Sequence, residues 1–251
     1  MDIVIPLNFY FPGKPEKFQY SALNTIDVTM INLIIADAEI ETIPPDLSRD
    51  FNIINLAKRR GKSFDRILLD SNYMHSSIDK HFPGESNRRG RPDIIHTLLM
   101  VVQDSILNRE RQVRIMIHTR MNKIITINPE TRLPRSYNRF TGLIESLLVK
   151  GKIESNGAVL MEICDGTLED ALKMVKSERV IVFSPSGEKK SIDELTEGSE
   201  ITYIIGGFSE GDYISDAYSL GKACSIYKDE LTIWTVASEI ICSRERRLGL
   251  V

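Results

Sequence analysis

Apolar residues recur along this chain at two periods, one suited to strands and one to helices, and the two alternate. Met30–Ala36 is an almost unbroken, Ile-rich apolar run, the pattern of a strand buried on both faces. Pro45–Arg60 has helical spacing through Leu47, Phe51, Ile54 and Leu56, and Gly61 stops it. Arg66–Asp70 is a short apolar run ending in a carboxylate, and 81–90 is a polar loop. Pro92–Gln103 reads as a helix: proline suits its first position, and Ile94, Ile95, Leu98, Leu99 and Val102 form one stripe. Val113–Thr119 and Lys123–Asn128 read as a hairpin turning at 120–122, followed by an amphipathic helix over Ser136–Val149. The remainder alternates: strand Val159–Ile163, helix Thr167–Lys176, strand Val180–Phe183 and a short helix Ser191–Glu197 with Ser191 and Glu194 spaced for a capping box. Strands at Ile201–Ile205 and Lys222–Tyr227 and a closing helix over Thr232–Arg247 complete the pattern. Such alternation predicts an α/β fold with a mostly parallel sheet. Residues 1–28, with Pro6, Pro12, Gly13 and Pro15, read as a peripheral N-terminal extension.

Composition changes this picture little. The chain has 251 residues, 42% hydrophobic and 27% charged, which is ordinary for a globular protein. No apolar run approaches the roughly 18 residues of a membrane span, and the first residues lack the basic region of a cleaved signal. Cys164, Cys224 and Cys242 are too few and too widely spaced for a disulfide framework or zinc cluster, so free buried thiols in a reducing cytoplasm are expected, with no metal. Charge is more informative in its distribution than in its total. The net charge is −3, yet residues 85–140 carry 11 basic against 5 acidic side chains. That is the electrostatic footprint of a phosphate-backbone binder, or of arginines that scatter over several faces once folded.

Two places invite chemistry. In Ile204-Ile205-Gly206-Gly207-Phe208-Ser209-Glu210-Gly211-Asp212 a β-branched strand runs into glycines, which let backbone approach a ligand closely. The spacing is neither the dinucleotide fingerprint nor a phosphate loop, and an ordinary strand-end turn has the same look. The second place is arginine-rich. Asp93 in a helix's first turn is placed to hold Arg91 in a bidentate pair. In Arg132-Leu-Pro-Arg135-Ser-Tyr-Asn-Arg139, Pro134 keeps the first arginines on a loop and Ser136 puts Arg139 in the next helix's first turn. Cations there oppose the helix dipole by about 0.3–1 kcal/mol, which makes better sense for gripping phosphates than for structure. A solvated charged loop is the plain alternative.

Several segments in this order and spacing then resemble one family. They are Arg66-Ile-Leu-Leu-Asp70, Gly90-Arg-Pro-Asp-Ile-Ile-His96, Asp104-Ser105, Leu107-Asn-Arg109, Ile117-His-Thr119, Arg132-Leu-Pro-Arg135, Tyr137-Asn-Arg-Phe140 and Gly142-Leu143. The family is the small-subunit rRNA pseudouridine N1-methyltransferases, a ribosome-biogenesis branch of the SPOUT methyltransferases in archaea and eukaryotes. The resemblance runs from about residue 30 to the C-terminus. Ile106 stands where the family pattern has proline, and the N-terminal extension has no counterpart.

The resemblance implies a SPOUT-type α/β domain over 29–251, with RNA-binding insertions at about 85–140 and a C-terminal trefoil knot at about 180–240. It implies S-adenosylmethionine as methyl donor, held by Phe183, Gly206, Gly207, Gly211, Asp212, Tyr213, Ile226, Tyr227, Lys228 and Leu231. It implies rRNA contacts from Arg91, Arg132, Arg135 and Arg139, with Arg91 and Asp93 catalytic, in a cytoplasmic homodimer needing neither metal nor membrane. An rRNA-binding assembly factor whose methyl transfer is secondary or absent, and a ribose 2′-O-methyltransferase, are the alternatives.

Overall fold

The first apolar run does form a strand: β1 (Ile31–Ala38) is buried at every position. The structure, a computed structural model, describes residues 30–251, so the extension expected at 1–28 lies outside the described residues. β1 is parallel both to β2 (Val113–Thr119) and to β7 (Ile201–Gly206). Beyond β7 the sheet continues in parallel through β6 (Arg179–Lys189) to β8 (Lys222–Ser225). Beyond β2 it turns antiparallel through β3 (Lys123–Ile127), β5 (Ala158–Asp165) and β4 (Lys152–Ser155). The order is β4-β5-β3-β2-β1-β7-β6-β8.

The period-2 alternation of β1 divides the core. Ile31, Leu33 and Ile35 face a layer built from α3 (Pro92–Asp104), α5 (Tyr137–Lys150) and α8 (Ile233–Arg247). Ile34 and Ala36 face the other way, toward α6 (Leu168–Lys173) and Ala217. A separate apolar cluster joins α1 (Phe51–Arg60) to α2 (Ser71–His81) through Ile53, Leu69, Met74 and Ile78. Two single-turn helices, α4 (Ile106–Arg109) and α7 (Ile192–Leu195), complete the set.

Some expectations needed correction. The helix read over Pro45–Arg60 is two pieces, a 3-10 turn at Pro45–Leu47 and then α1, because Asp50 adopts extended backbone and caps α1 by accepting from the Asn52 N–H. Phe51, counted in the apolar stripe, is 74% exposed. α2 went unforeseen, since Ser71–His81 has few apolar residues; Asp70 caps it. β6 runs on to Lys189 and β8 stops at Ser225. The reciprocal capping box forms at Thr167 and Asp170, while Ser191 only accepts from the Glu194 N–H. Of the three cysteines only Cys224 is buried; Cys164 is half-buried and Cys242 exposed, and all three are free.

At the sheet's far edge β6 meets β8 twice. Phe183 and Glu188 both pair with Cys224, and the chain between them bulges away and returns. The return requires glycine: a Cβ on Gly187 would stand 2.5 Å from the Cys224 nitrogen and 2.7 Å from the Ala223 carbonyl carbon. Backbone cannot yield as a side-chain tip can. Gly187→Ala is therefore expected to cost about 1–3 kcal/mol by overpacking. At about 2–4 °C per kcal/mol for a chain this size, calorimetry would read this as a lower unfolding temperature. An unchanged temperature would mean the crossing is not tight.

Candidate active site

In an open α/β sheet, ligands collect beyond the carboxyl ends of the strands. Here the ends of β7 and β8 and the bulge of β6 after Phe183 open into a cleft whose empty space, open mouth included, is about 760 Å³. Of the expected donor residues, Phe183, Gly206, Gly211, Asp212, Tyr213, Ile226, Tyr227 and Leu231 line it, and Gly207 and Lys228 do not. Gly207 is pressed against β1 instead. Its N–H donates to the Ala36 carbonyl at 2.7 Å, and a Cβ would stand 2.7 Å from Ala38 Cα. Lys228 is exposed, 3.9 Å from the Asp229 carboxylate. The wall is largely apolar, from Phe183, Ile205, Ile226, Leu231, Ile233 and Val236, while Glu210, Asp212, Asp229 and Glu230 also border it. A ligand with an apolar body and positive charge suits that combination.

Asp37, which the sequence reading passed over, anchors the loop that closes the cleft. Its buried carboxylate accepts from the Ile214 N–H at 2.7 Å and from the Ser215 N–H and Oγ at 3.0 Å. Its backbone is left-handed, with φ 53°, a conformation that Asp tolerates better than most residues. Its own N–H donates to Nδ1 of His118 at 3.3 Å, and Nε2 of His118 lies 3.1 Å from the Asn122 amide oxygen. Burial pushes the His118 pKa down, and the Asp37 N–H directed at Nδ1 makes that nitrogen the acceptor. The available signal was a carboxylate inside the apolar run Ile31–Ala38. On the loop, Tyr213 donates to the Phe183 carbonyl at 2.7 Å, and the Tyr218 hydroxyl donates to Asp212 at 2.6 Å.

The arginines divide into two groups. Arg91 and Asp93 form the expected fork, Nε to Oδ1 at 2.9 Å and Nη2 to Oδ2 at 2.8 Å. The bond to Asp93, above all, pushes the Arg91 pKa further up. Arg132, Arg135 and Arg139 are exposed and have no ion pair or side-chain hydrogen bond among the described residues. The backbone beneath them is fixed. Nε2 of His96 lies 2.9 Å from the Pro134 carbonyl, so that nitrogen carries the proton, and the ring stacks on buried Phe140 at 4.5 Å. Tyr137 donates to Asp70 at 2.6 Å, and the Ser71 N–H after Asp70 donates to the Gly90 carbonyl at 2.8 Å. Ser136 occupies the N-cap of α5 without a side-chain hydrogen bond, so the first N–H groups of that helix have no side-chain cap from it.

One residue joins this face to the cleft. The Glu39 N–H donates to the Gly207 carbonyl and the Glu39 carbonyl accepts from the Arg91 N–H, both at 3.3 Å. The fully buried Glu39 carboxylate takes Arg88 Nε at 2.9 Å and Arg120 Nη1 at 2.8 Å. Burial raises its pKa, and the two guanidinium groups pull it back. Among the described residues no helix is long and apolar enough to cross a membrane, and no group of His, Cys, Asp or Glu is placed to hold a metal ion.

In class the protein is an α/β fold of the SPOUT methyltransferase type, with a mostly parallel eight-stranded sheet. Residues 33–245 match the family described as EMG1/NEP1 methyltransferase, and the chain belongs to that family. Ribosomal RNA small subunit methyltransferase Nep1 of Thermoplasma acidophilum is 48% identical over 221 residues, 88% of this chain and all of that protein. Its namesake from Thermoplasma volcanium is 50% identical over 222 residues, with the same coverage. Among solved structures, Archaeoglobus fulgidus Nep1 bound to S-adenosylhomocysteine superposes with a TM-score of 0.78 at 31% identity, covering 88% of this chain and 99% of that one.

Asp37→Ala leaves the Ile214 and Ser215 N–H groups without their acceptor. It is expected to destabilise the fold by about 3 kcal/mol, the scale of a lost hydrogen-bonded buried charge. Denaturant unfolding would measure it, and a wild-type midpoint would remove Asp37 from its anchoring role.

Proposed function

We propose that the protein methylates N1 of a pseudouridine in small-subunit rRNA with S-adenosylmethionine, as a cytoplasmic homodimer, during biogenesis of that subunit. The observation that carries this reading is that one residue, Glu39, bonds the Gly207 turn beside the cleft on one side and Arg91, of the Arg91–Asp93 fork, on the other. Family membership, the relatives named for small-subunit rRNA methylation and the neighbour holding S-adenosylhomocysteine support the reaction class. The cleft's apolar wall and acidic border fit a donor that pairs an adenine ring with a sulfonium and an ammonium. The same reading takes 29–251 as one methyltransferase domain, its RNA-binding insertion at about 85–140 and its knot at about 180–240. Exposed Ile214, Tyr218 and Tyr227 beside the cleft support a second copy.

When bound, the donor supplies a methyl group activated by sulfonium. Phe183, Gly206, Gly211, Asp212, Tyr213, Ile226, Tyr227 and Leu231 would hold it, with Gly207 positioning the loop from behind. Arg132, Arg135 and Arg139 grip phosphates, at some expense in helix-dipole repulsion that the anions repay. Arg91, aimed by Asp93, places a permanent positive charge beside the base, where negative charge develops as N1 loses its proton to solvent. Asp93 is thus a positioning residue and Arg91 the catalytic one. A base presented this way must leave its stack.

Incubation of the protein and S-adenosylmethionine with matched RNA hairpins, one with uridine and one with pseudouridine in the loop, tests the proposal by mass spectrometry. Methylation of the pseudouridine base alone is expected, and methyl transfer to ribose or to neither hairpin would overturn it. Calorimetric titration with S-adenosylhomocysteine separates enzyme from pure assembly factor, which would give no heat of binding. Arg135→Ala is expected to weaken hairpin binding and lower the slope of log affinity against log salt by about one phosphate contact. An unchanged slope would take Arg135 out of the RNA interface.

A further inference from the structure

Arg88 lies three residues before Arg91, on the loop that leads into α3, and it was not among the expected site residues. Its side chain reaches across to the cleft. Nη1 donates to the Asp212 carbonyl at 2.7 Å and the Glu210 carbonyl at 3.2 Å, Nε donates to Glu39, and the guanidinium lies 4.2 Å from the centre of the Phe208 ring. Phe208, Glu210 and Asp212 all line the cleft. Alongside, the Ser209 hydroxyl donates to the Asn87 carbonyl, and Arg91 Nη1 approaches the same carbonyl at 3.4 Å. One wall of the cleft and the backbone that carries Arg91 are therefore tied by the same few groups.

The tie is not fully satisfied. Arg88 Nη2 is buried and lacks an acceptor among the described residues. Ser209–Asp212 is exposed loop, held to the body largely by these contacts and by Tyr218. Segments of that kind open at small free-energy cost, so a ligand packed against this one restricts it. With Arg88 only 16% exposed at the side chain and its Nε occupied by Glu39, a phosphate is not its natural partner.

We propose that Arg88 is a positioning residue that couples the two halves of the site, so that filling the cleft tightens RNA binding through the Phe208–Asp212 loop and the segment Asn87–Arg91. This rests on the methyltransferase reading above. Coupling between two sites is reciprocal, so RNA tightens donor binding by the same factor. Lysine cannot replace the fork, because a single nitrogen does not serve Glu39 and two carbonyls while stacking on a ring.

The test titrates the full-length protein with a pseudouridine-containing hairpin, with and without saturating S-adenosylhomocysteine, and then in the reverse order. In the wild type the cleft ligand is expected to tighten hairpin binding about tenfold, within the usual coupling range of about 5- to 150-fold. In Arg88→Ala that ratio is expected to fall close to one while the salt slope of hairpin binding stays at its wild-type value, the opposite of Arg135→Ala. A wild-type ratio in Arg88→Ala, or a ratio of one in the wild-type protein, would overturn the coupling. Where Arg88→Ala does not fold, Arg88→Lys carries the test: a collapsed ratio is expected, and a retained one overturns the proposal. A wild-type protein that binds neither ligand would instead bring down the methyltransferase reading itself.

Discussion

Glu39 sits one residue past the end of β1 with its side chain at 0% exposure, and an isolated buried carboxylate there would be untenable. Two guanidinium groups make it tenable, Arg88 from the loop before α3 and Arg120 from the turn of the β2–β3 hairpin. Its backbone meanwhile bonds the Gly207 turn and the Arg91 N–H. Four segments far apart in sequence are thereby held at one point. Breaking such a pair from one side typically costs about 3–5 kcal/mol, because the remaining charge is left buried and alone. The cleft and the arginine face keep their relative position on that account.

This arrangement divides the positive charge of residues 85–140. Arg88 and Arg120 are committed to Glu39, Arg89 is clamped bidentately to Glu41, and Arg111 and Lys123 pair with Glu130 and Asp165. Scattering and internal pairing thus account for much of the surplus, as the plainer reading of the charge count allowed. Among the described residues Arg109 on α4 stays free, and so do Arg132, Arg135 and Arg139, which project from one loop and one helix start near the Arg91–Asp93 fork by way of Tyr137 and Asp70. A count of charges did not separate these groups, whereas the helix-dipole reasoning singled out three of the arginines that have no ion pair among the described residues, Arg132, Arg135 and Arg139.

The strongly apolar elements were legible because burial on both faces leaves an unmistakable run, as in β1, and because a helix stripe such as that of α3 repeats over three turns. α2 escaped because its stability comes from the Asp70 cap and from packing against α1 rather than from a wide stripe of its own. β4 escaped because its exposed edge residues, Lys152-Ile-Glu-Ser155, carry only one apolar side chain. The eight expected donor residues that line the cleft came from family resemblance more than from spacing. Gly207 and Lys228 show the limit of that route, since a glycine beside a ligand loop can serve the scaffold behind it.

Local chemistry determined the secondary elements, the proline-started helix with its Arg91–Asp93 fork and the arginine-bearing start of α5, because each depends on neighbours within a few residues. Only the folded chain decided that Asp37 would hold the 214–215 backbone, that Arg88 would reach the Glu210 and Asp212 carbonyls, and that Glu39 would join both sides of the site. Those partners are separated by up to 178 positions along the chain. No periodicity or motif encodes a contact across that distance; it exists because the parallel sheet brings the end of β1 beside the end of β7.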